Sequence, residues 1–137
     1  MFGITRKNDA HDDSGKWGEK CAERYLKRAG YILLGTRVKV PPHDEIDLVM
    51  RDGEELVFVE VKTRKSEEMG APIDAVNREK QRFLSRAAIR FLKNRQADPI
   101  DFRFDVVEVI GKPGDENPTI RHHEDAFELD DNYRPPF

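Results

Sequence analysis

The chain has a single cysteine, Cys21, a single tryptophan, and no apolar run longer than a few residues. A lone thiol cannot close an internal disulfide, and without a CxxC or Cys/His array there is no zinc frame. Without a long apolar run, neither a membrane span nor a signal peptide is expected, so the reading is a soluble cytoplasmic protein with no membrane partner. No internal repeat is present. With 137 residues, one compact domain is expected, held by packing alone.

Net charge is also small, −3, but the charges are segregated along the chain. Lys80, Arg82, Arg86, Arg90, Lys93 and Arg95 fall between Lys80 and Ala97 with no acid among them, whereas Asp115 to Phe137 carries seven acids against Arg121 and Arg134. The basic stretch is a candidate surface for a polyanion, although an amphipathic helix often carries such a stripe merely as its solvated face.

Residues 1–14 are polar and read as a mobile tail, residues 15–112 as the domain, and residues 113–137 as an acidic C-terminal segment. Ser14 is a candidate N-cap for a helix carrying Cys21, Ala22, Tyr25, Leu26 and Ala29 at helical spacing, with Gly30 as its stop. Cys21 lies on that apolar stripe and reads as a core residue. A strand, YILLGTRVKV, ends at Pro41-Pro42, and a hairpin follows, with strands from about Glu45 to Arg51 and Glu55 to Thr63 turning through Asp52-Gly53. SEEMGAP reads as a loop. The spacing of Phe83, Leu84, Ala87, Ala88, Phe91 and Leu92 predicts a second helix over residues 73–94, and DFRFDVVEVI reads as a further strand. The order implies an α/β domain with a mixed sheet.

The hairpin holds two carboxylates and a lysine in otherwise apolar strands. Alternation puts Leu56, Phe58, Glu60 and Lys62 on one face and Val57, Val59 and Val61 on the other. A two-residue loop pairing Arg51 with Glu54 puts Asp47 diagonal to Glu60, and a four-residue loop pairing Arg51 with Leu56 puts it directly opposite. A three-residue loop would separate them. Opposed side chains lie about 5 Å apart, and diagonal ones about 7–8 Å, the scale on which two carboxylates share a divalent cation. All-oxygen ligation suits Mg²⁺ or Mn²⁺, and Lys62 can stabilise an anion or orient a water. D…ExK is therefore a workable site for phosphodiester hydrolysis. Set against this, E-x-K on a strand often only decorates a solvated face. His122-His123 resembles a metal cluster by type, but adjacent residues point apart.

The blocks GEKCAERYLKRAGYILLGTRVKV, DEIDLV, VFVEVKTR, KQRFLSRAAIRFL and FRFDVVEV, in that order, resemble the YraN family, a bacterial group with a restriction-endonuclease-like fold similar to archaeal Holliday junction resolvases. The resemblance spans about Gly18 to Ile110. It implies a PD-(D/E)xK signature formed by Asp47, Glu60 and Lys62, with Glu19 as a helical acid and Lys80 as a lysine opening the second long helix. The family usually has glycine where this chain has Asp44. The reading is a Mg²⁺- or Mn²⁺-dependent nuclease acting on DNA, with branched DNA and a homodimeric form both admitted by the resemblance. Asp47 and Glu60 would hold the metal with the Val61 carbonyl, Lys62 and Glu19 would act in catalysis, and Lys80, Arg82, Arg86, Arg90 and Lys93 would contact nucleic acid. A non-catalytic DNA-binding module and a protein-interaction domain are the alternatives.

Overall fold

A computed structural model describes residues 2–66, 76–95 and 98–137, with side chains of the first helix described from residue 13 onward. Helix α1 (Phe2–Arg28) is followed by strands β1 (Ile32–Val40), β2 (Asp44–Asp52) and β3 (Glu55–Arg64), helix α2 (Arg78–Arg95), and strands β4 (Phe102–Ile110) and β5 (Thr119–Phe127). The strands form one mixed sheet in the order β1-β2-β3-β4-β5. Neighbours pair antiparallel except β3 and β4, whose parallel pairing requires the crossover that α2 provides.

Three elements depart from the sequence reading, one of them β5, which pairs with β4 inside the segment read as an acidic tail. Helix α1 does not start at Ser14 but runs through it from Phe2, there being no proline from Met1 to Arg28 to stop helical propagation. Helix α2 starts at Arg78, later than expected, because Asn77 caps it: its Oδ1 accepts the Lys80 N–H at 2.9 Å. The SEEMGAP loop and the proposed helical residues 73–75 lie outside the described residues, apart from Ser66 at the loop's start. At the other end of α1 the expected stop is present. Gly30, at φ 100°, terminates the helix while the N–H groups of Tyr31 and Gly30 return to the carbonyls of Leu26 and Lys27, the paired closure of a Schellman motif.

Helices cover opposite faces of the sheet. Cys21, Ala22 and Leu26 of α1 pack on Leu48, Met50, Val57, Val59, Val107 and Val109. Burial raises the Cys21 thiol above its ordinary pKa, as expected of a core cysteine. On the other face Leu84, Ala88 and Leu92 of α2 meet Val49, Leu56, Phe58, Phe104 and Val106. Phe104 stacks on Phe127 at 4.7 Å between centroids, so β5 is part of this core, as are Leu129 and Tyr133 beyond it. Phe104, fully buried, contributes about 1.5–3 kcal/mol. Along β3 the α2-side face runs Leu56, Phe58, then Glu60 and Lys62, so the apolar core gives way to polar groups toward the end of the strand. No helix among the described residues is long and apolar enough to cross a membrane.

Candidate active site

The β2–β3 register decides whether the two acids meet. Asp52 pairs with Glu55, so the loop is Gly53-Glu54 rather than Asp52-Gly53, with Gly53 at φ 61° providing the left-handed residue a two-residue hairpin needs first. From there Arg51 faces Leu56, Met50 faces Val57, Val49 faces Phe58 and Leu48 faces Val59. One further step brings Asp47 opposite Glu60.

At that step the ladder gives out, and the Asp47 side chain replaces it: Oδ2 accepts the Val61 N–H at 2.9 Å. Both flanks of Asp47 are irregular. Ile46 packs in the α2-side core and Leu48 in the α1-side core, so the alternation slips at the residue between them. Across β1, Arg37 lies between the paired residues Thr36 and Val38 and has φ 42°, a conformation uncommon for a residue with a side chain. Because one residue's N–H and C=O point to the same neighbouring strand, the bond to Asp47 also turns the Val61 carbonyl toward this gap.

Glu60 is buried, 7% exposed, and Asp47 is half-buried. Burial first, and then the charge and hydrogen bond of Glu60, push Asp47 up to about 8, against the opposing pull of the Val61 N–H and the Lys80 ammonium. Near neutral pH the pair therefore retains a proton between carboxyls within hydrogen-bond reach. Lys80 Nζ stands 3.4 Å from Glu60 Oε2. Two carboxylates that share a proton are suited to share a divalent cation in its place, and with the Val61 carbonyl they form an all-oxygen donor set. No group of three or more His, Cys, Asp or Glu with metal-binding geometry occurs among the described residues. Two carboxylates plus a carbonyl would leave the remaining positions to water or substrate, the usual arrangement for Mg²⁺. Lys62 is half-buried on the same face, and among the described residues no ion pair engages it.

The other expected residues have different surroundings. Glu19 grips Arg37 through two bonds, Nε–Oε1 at 2.9 Å and Nη2–Oε2 at 3.1 Å, so it reaches the edge of the site through the residue across from Asp47. Gly18 lets α1 approach β3 there, since a Cβ would overlap Thr63 Oγ1. On α2 the supposed absence of compensating acids is corrected. Asp44 takes two bonds from Arg86 and one from Arg90, supplying the acid from another element. Arg86 also lies over the Phe83 ring. Arg82 and Lys93 are exposed. A cleft of about 360 Å³ opens beside this cluster, lined by His43, Asp44, Glu45, Lys80, Phe83 and Arg86 among others.

Two buried acids of β4 escaped the sequence reading. Asp105, fully buried, is bonded to His122, Arg103 and the Asp125 N–H; burial would raise its pKa, but these partners outweigh it and hold the carboxyl below its ordinary range. Glu108, also fully buried, is bonded to His123. The adjacent histidines do point apart, to opposite faces of the sheet. Two acids within the otherwise apolar run of DFRFDVVEVI were the available signal.

A model of the uncharacterised protein family UPF0102 matches residues 18–109, a span that includes Glu19, Asp47, Glu60, Lys62 and Glu108 and ends before β5. The chain is 42% identical over 116 residues to a UPF0102 protein of Syntrophus aciditrophicus, covering 85% of this chain and 89% of the relative. It is 40% identical over 123 residues to one of Geotalea daltonii, covering 90% and 94%. With one of Symbiobacterium thermophilum it shares 44% identity over 100 residues, 73% of this chain and 82% of that one.

Proposed function

This chain belongs to the uncharacterised protein family UPF0102, the family it resembles under the name YraN, and from that premise we propose that it is a divalent-metal-dependent nuclease of restriction-endonuclease-like fold, hydrolysing phosphodiester bonds in DNA. One observation carries the reading: Asp47 and Glu60 face each other where the β2–β3 ladder ends, close enough to share a proton, with Lys62 on the same face. A generic pair of surface acids would have no reason to be buried together beside an opened ladder.

Asp47 and Glu60 hold the cation with the Val61 carbonyl, and bound Mg²⁺ or Mn²⁺ supplies Lewis-acid stabilisation of a phosphodiester oxygen and a more acidic water. Lys62 presents a positive charge to the anion that develops at phosphorus and orients the attacking water. Lys80 orients Glu60 through their 3.4 Å ion pair. Arg82 and Lys93 give the polyanion a footing on α2. Branched DNA is a candidate substrate by the resemblance to junction resolvases.

A calorimetric Mn²⁺ titration, with cleavage assays on single-stranded, duplex and four-way-junction DNA, tests the reading. Binding of the ion together with cleavage supports it, and an absence of either removes it. A second reading is favoured by one observation: Glu19 is tied to Arg37 rather than to the acid pair. That is a non-catalytic DNA-binding module, for which DNA would bind without being cut.

A further inference from the structure

Glu108 is fully buried, and only one of its carboxylate oxygens is accounted for. Oε1 lies 2.9 Å from His123 Nε2, while Oε2 has no hydrogen-bond partner among the described residues. A buried carboxylate oxygen without a donor is costly, so it needs a group that reaches it.

Its place in the sheet narrows the candidates. Glu108 is the ladder partner of Lys62 across the parallel β3–β4 pair, and Glu60 is the partner of Val106, two residues back along β4. Val61 packs toward α1, as do Val107 and Val109, so Lys62 and Glu108 both project toward α2. Paired side chains lie about 5 Å apart at Cβ, within the reach of a lysine. Other polar groups on this side are less available. Lys80 is paired with Glu60, and Arg121, the β5 partner of Glu108, is exposed and has a partner of its own. Ser85, whose hydroxyl oxygen accepts the Asp130 N–H, keeps a proton to donate but carries no charge to match the carboxylate. Lys62 is half-buried and has no ion pair among the described residues.

We propose that Glu108 is a positioning residue for Lys62: His123 fixes the carboxylate through Oε1, and Oε2 receives the Lys62 ammonium, setting where that charge stands relative to Asp47 and Glu60. The role in catalysis rests on the nuclease reading, but the contact itself does not. Because the carboxylate is anchored at β5, the lysine is oriented from two strands away, and Glu108 needs to touch neither metal nor substrate.

The test is made on the full-length protein labelled with ¹⁵N and ¹³C, observing lysine side-chain ammonium signals by NMR. An ammonium held by a buried carboxylate exchanges slowly with water and gives a sharp signal, identified by its loss in Lys62→Arg. The expected result is a sharp Lys62 signal with a through-bond coupling from Nζ to a glutamate Cδ, lost in Glu108→Gln and kept in Arg121→Gln. Absence of the signal or the coupling in the wild-type protein overturns the proposal and requires no variant to fold. So does persistence of the signal in Glu108→Gln, or its loss in Arg121→Gln. In cleavage, Glu108→Gln should lower kcat by roughly 10²-fold, as a small misplacement of a catalytic group does, with KM and Mn²⁺ affinity little changed. If the wild-type protein cuts no DNA, the nuclease reading fails while the ammonium signal still decides the contact.

Discussion

Arg86 grips Asp44 with both arms of its guanidinium, Nη2 to Oδ1 at 2.6 Å and Nε to Oδ2 at 2.9 Å, and Arg90 adds a third bond at 3.2 Å to Oδ2. This fastens the start of β2 to the middle of α2 and spends two cations of the basic stripe on an internal acid. The hydrogen bond from Arg86, the largest influence, holds the Asp44 carboxyl below its ordinary range. A depressed carboxylate contributes stability that is complete above its unfolded pKa and is lost as pH falls through the folded one. Asp44→Asn is therefore expected to lower stability by about 1–3 kcal/mol at neutral pH and less in acid, measured by urea denaturation. The same variant releases Arg86 and Arg90, so it should bind DNA more tightly at low salt.

Arg82 and Lys93 are exposed on α2, and neither is tied to Asp44. Replacing both by glutamine should leave stability within about 0.5 kcal/mol and flatten the dependence of DNA binding on salt by about two counterions. An unchanged salt slope would return this side of α2 to the status of a solvated helix face.

Asp47 is pushed up to about 8, first by burial and then by Glu60, so the folded state holds a proton that the unfolded chain releases near the ordinary carboxylate range. The folded protein thus binds more protons between about pH 4 and 8, and metal-free stability must fall as pH rises through that window. Asp47→Asn abolishes the effect. It should be more stable than wild type at pH 8 by on the order of 2 kcal/mol and show little gain at pH 4, read from denaturation in chelator.

Metal binding and hydrolysis separate at Lys62. Asp47→Asn and Glu60→Gln each remove an anionic ligand at constant volume, so Mn²⁺ affinity and cleavage should fall together. Lys62→Met keeps both carboxylates and should retain Mn²⁺ binding while losing roughly 10²-fold or more in cleavage rate. Calorimetry and cleavage on the same preparations check the pattern, and a loss of Mn²⁺ binding in Lys62→Met would contradict it.

Asp105 ties β4 to β5 through His122 and the Asp125 N–H, and to Tyr31 through Arg103, which bonds the tyrosine hydroxyl at 2.6 Å. Removing one member of such a buried network leaves the others without their counter-charge. Asp105→Ala is expected to cost about 3–5 kcal/mol, seen as a lower midpoint in urea, with β5 the first element to lose amide protection.

Alternation and helical spacing are local properties, recorded wherever side chains one, two, three or four positions apart must point in chosen directions. For that reason strands β1 to β4, the helix over Leu84 to Leu92, the Gly30 stop and the shared face of Glu60 and Lys62 were legible in the sequence, whereas β5, inside the segment read as an acidic tail, was not. Its family resemblance was legible too, and the family match supports it. Helix starts were less so, because no local rule forbids the helix from running N-terminal to Ser14, whereas Asn77 is a cap only where its side chain meets the Lys80 N–H. The tertiary structure alone decided the hairpin register, since a loop at Gly53-Glu54 and one at Asp52-Gly53 differ by a single residue yet place Asp47 differently against Glu60. It also decided which cations are free. Asp44 lies 42 residues before Arg86, Glu19 lies 18 before Arg37, and Glu108 lies 15 before His123. Charge interaction depends on distance through space, and chain separation conveys that distance only within one helix turn or one strand pair.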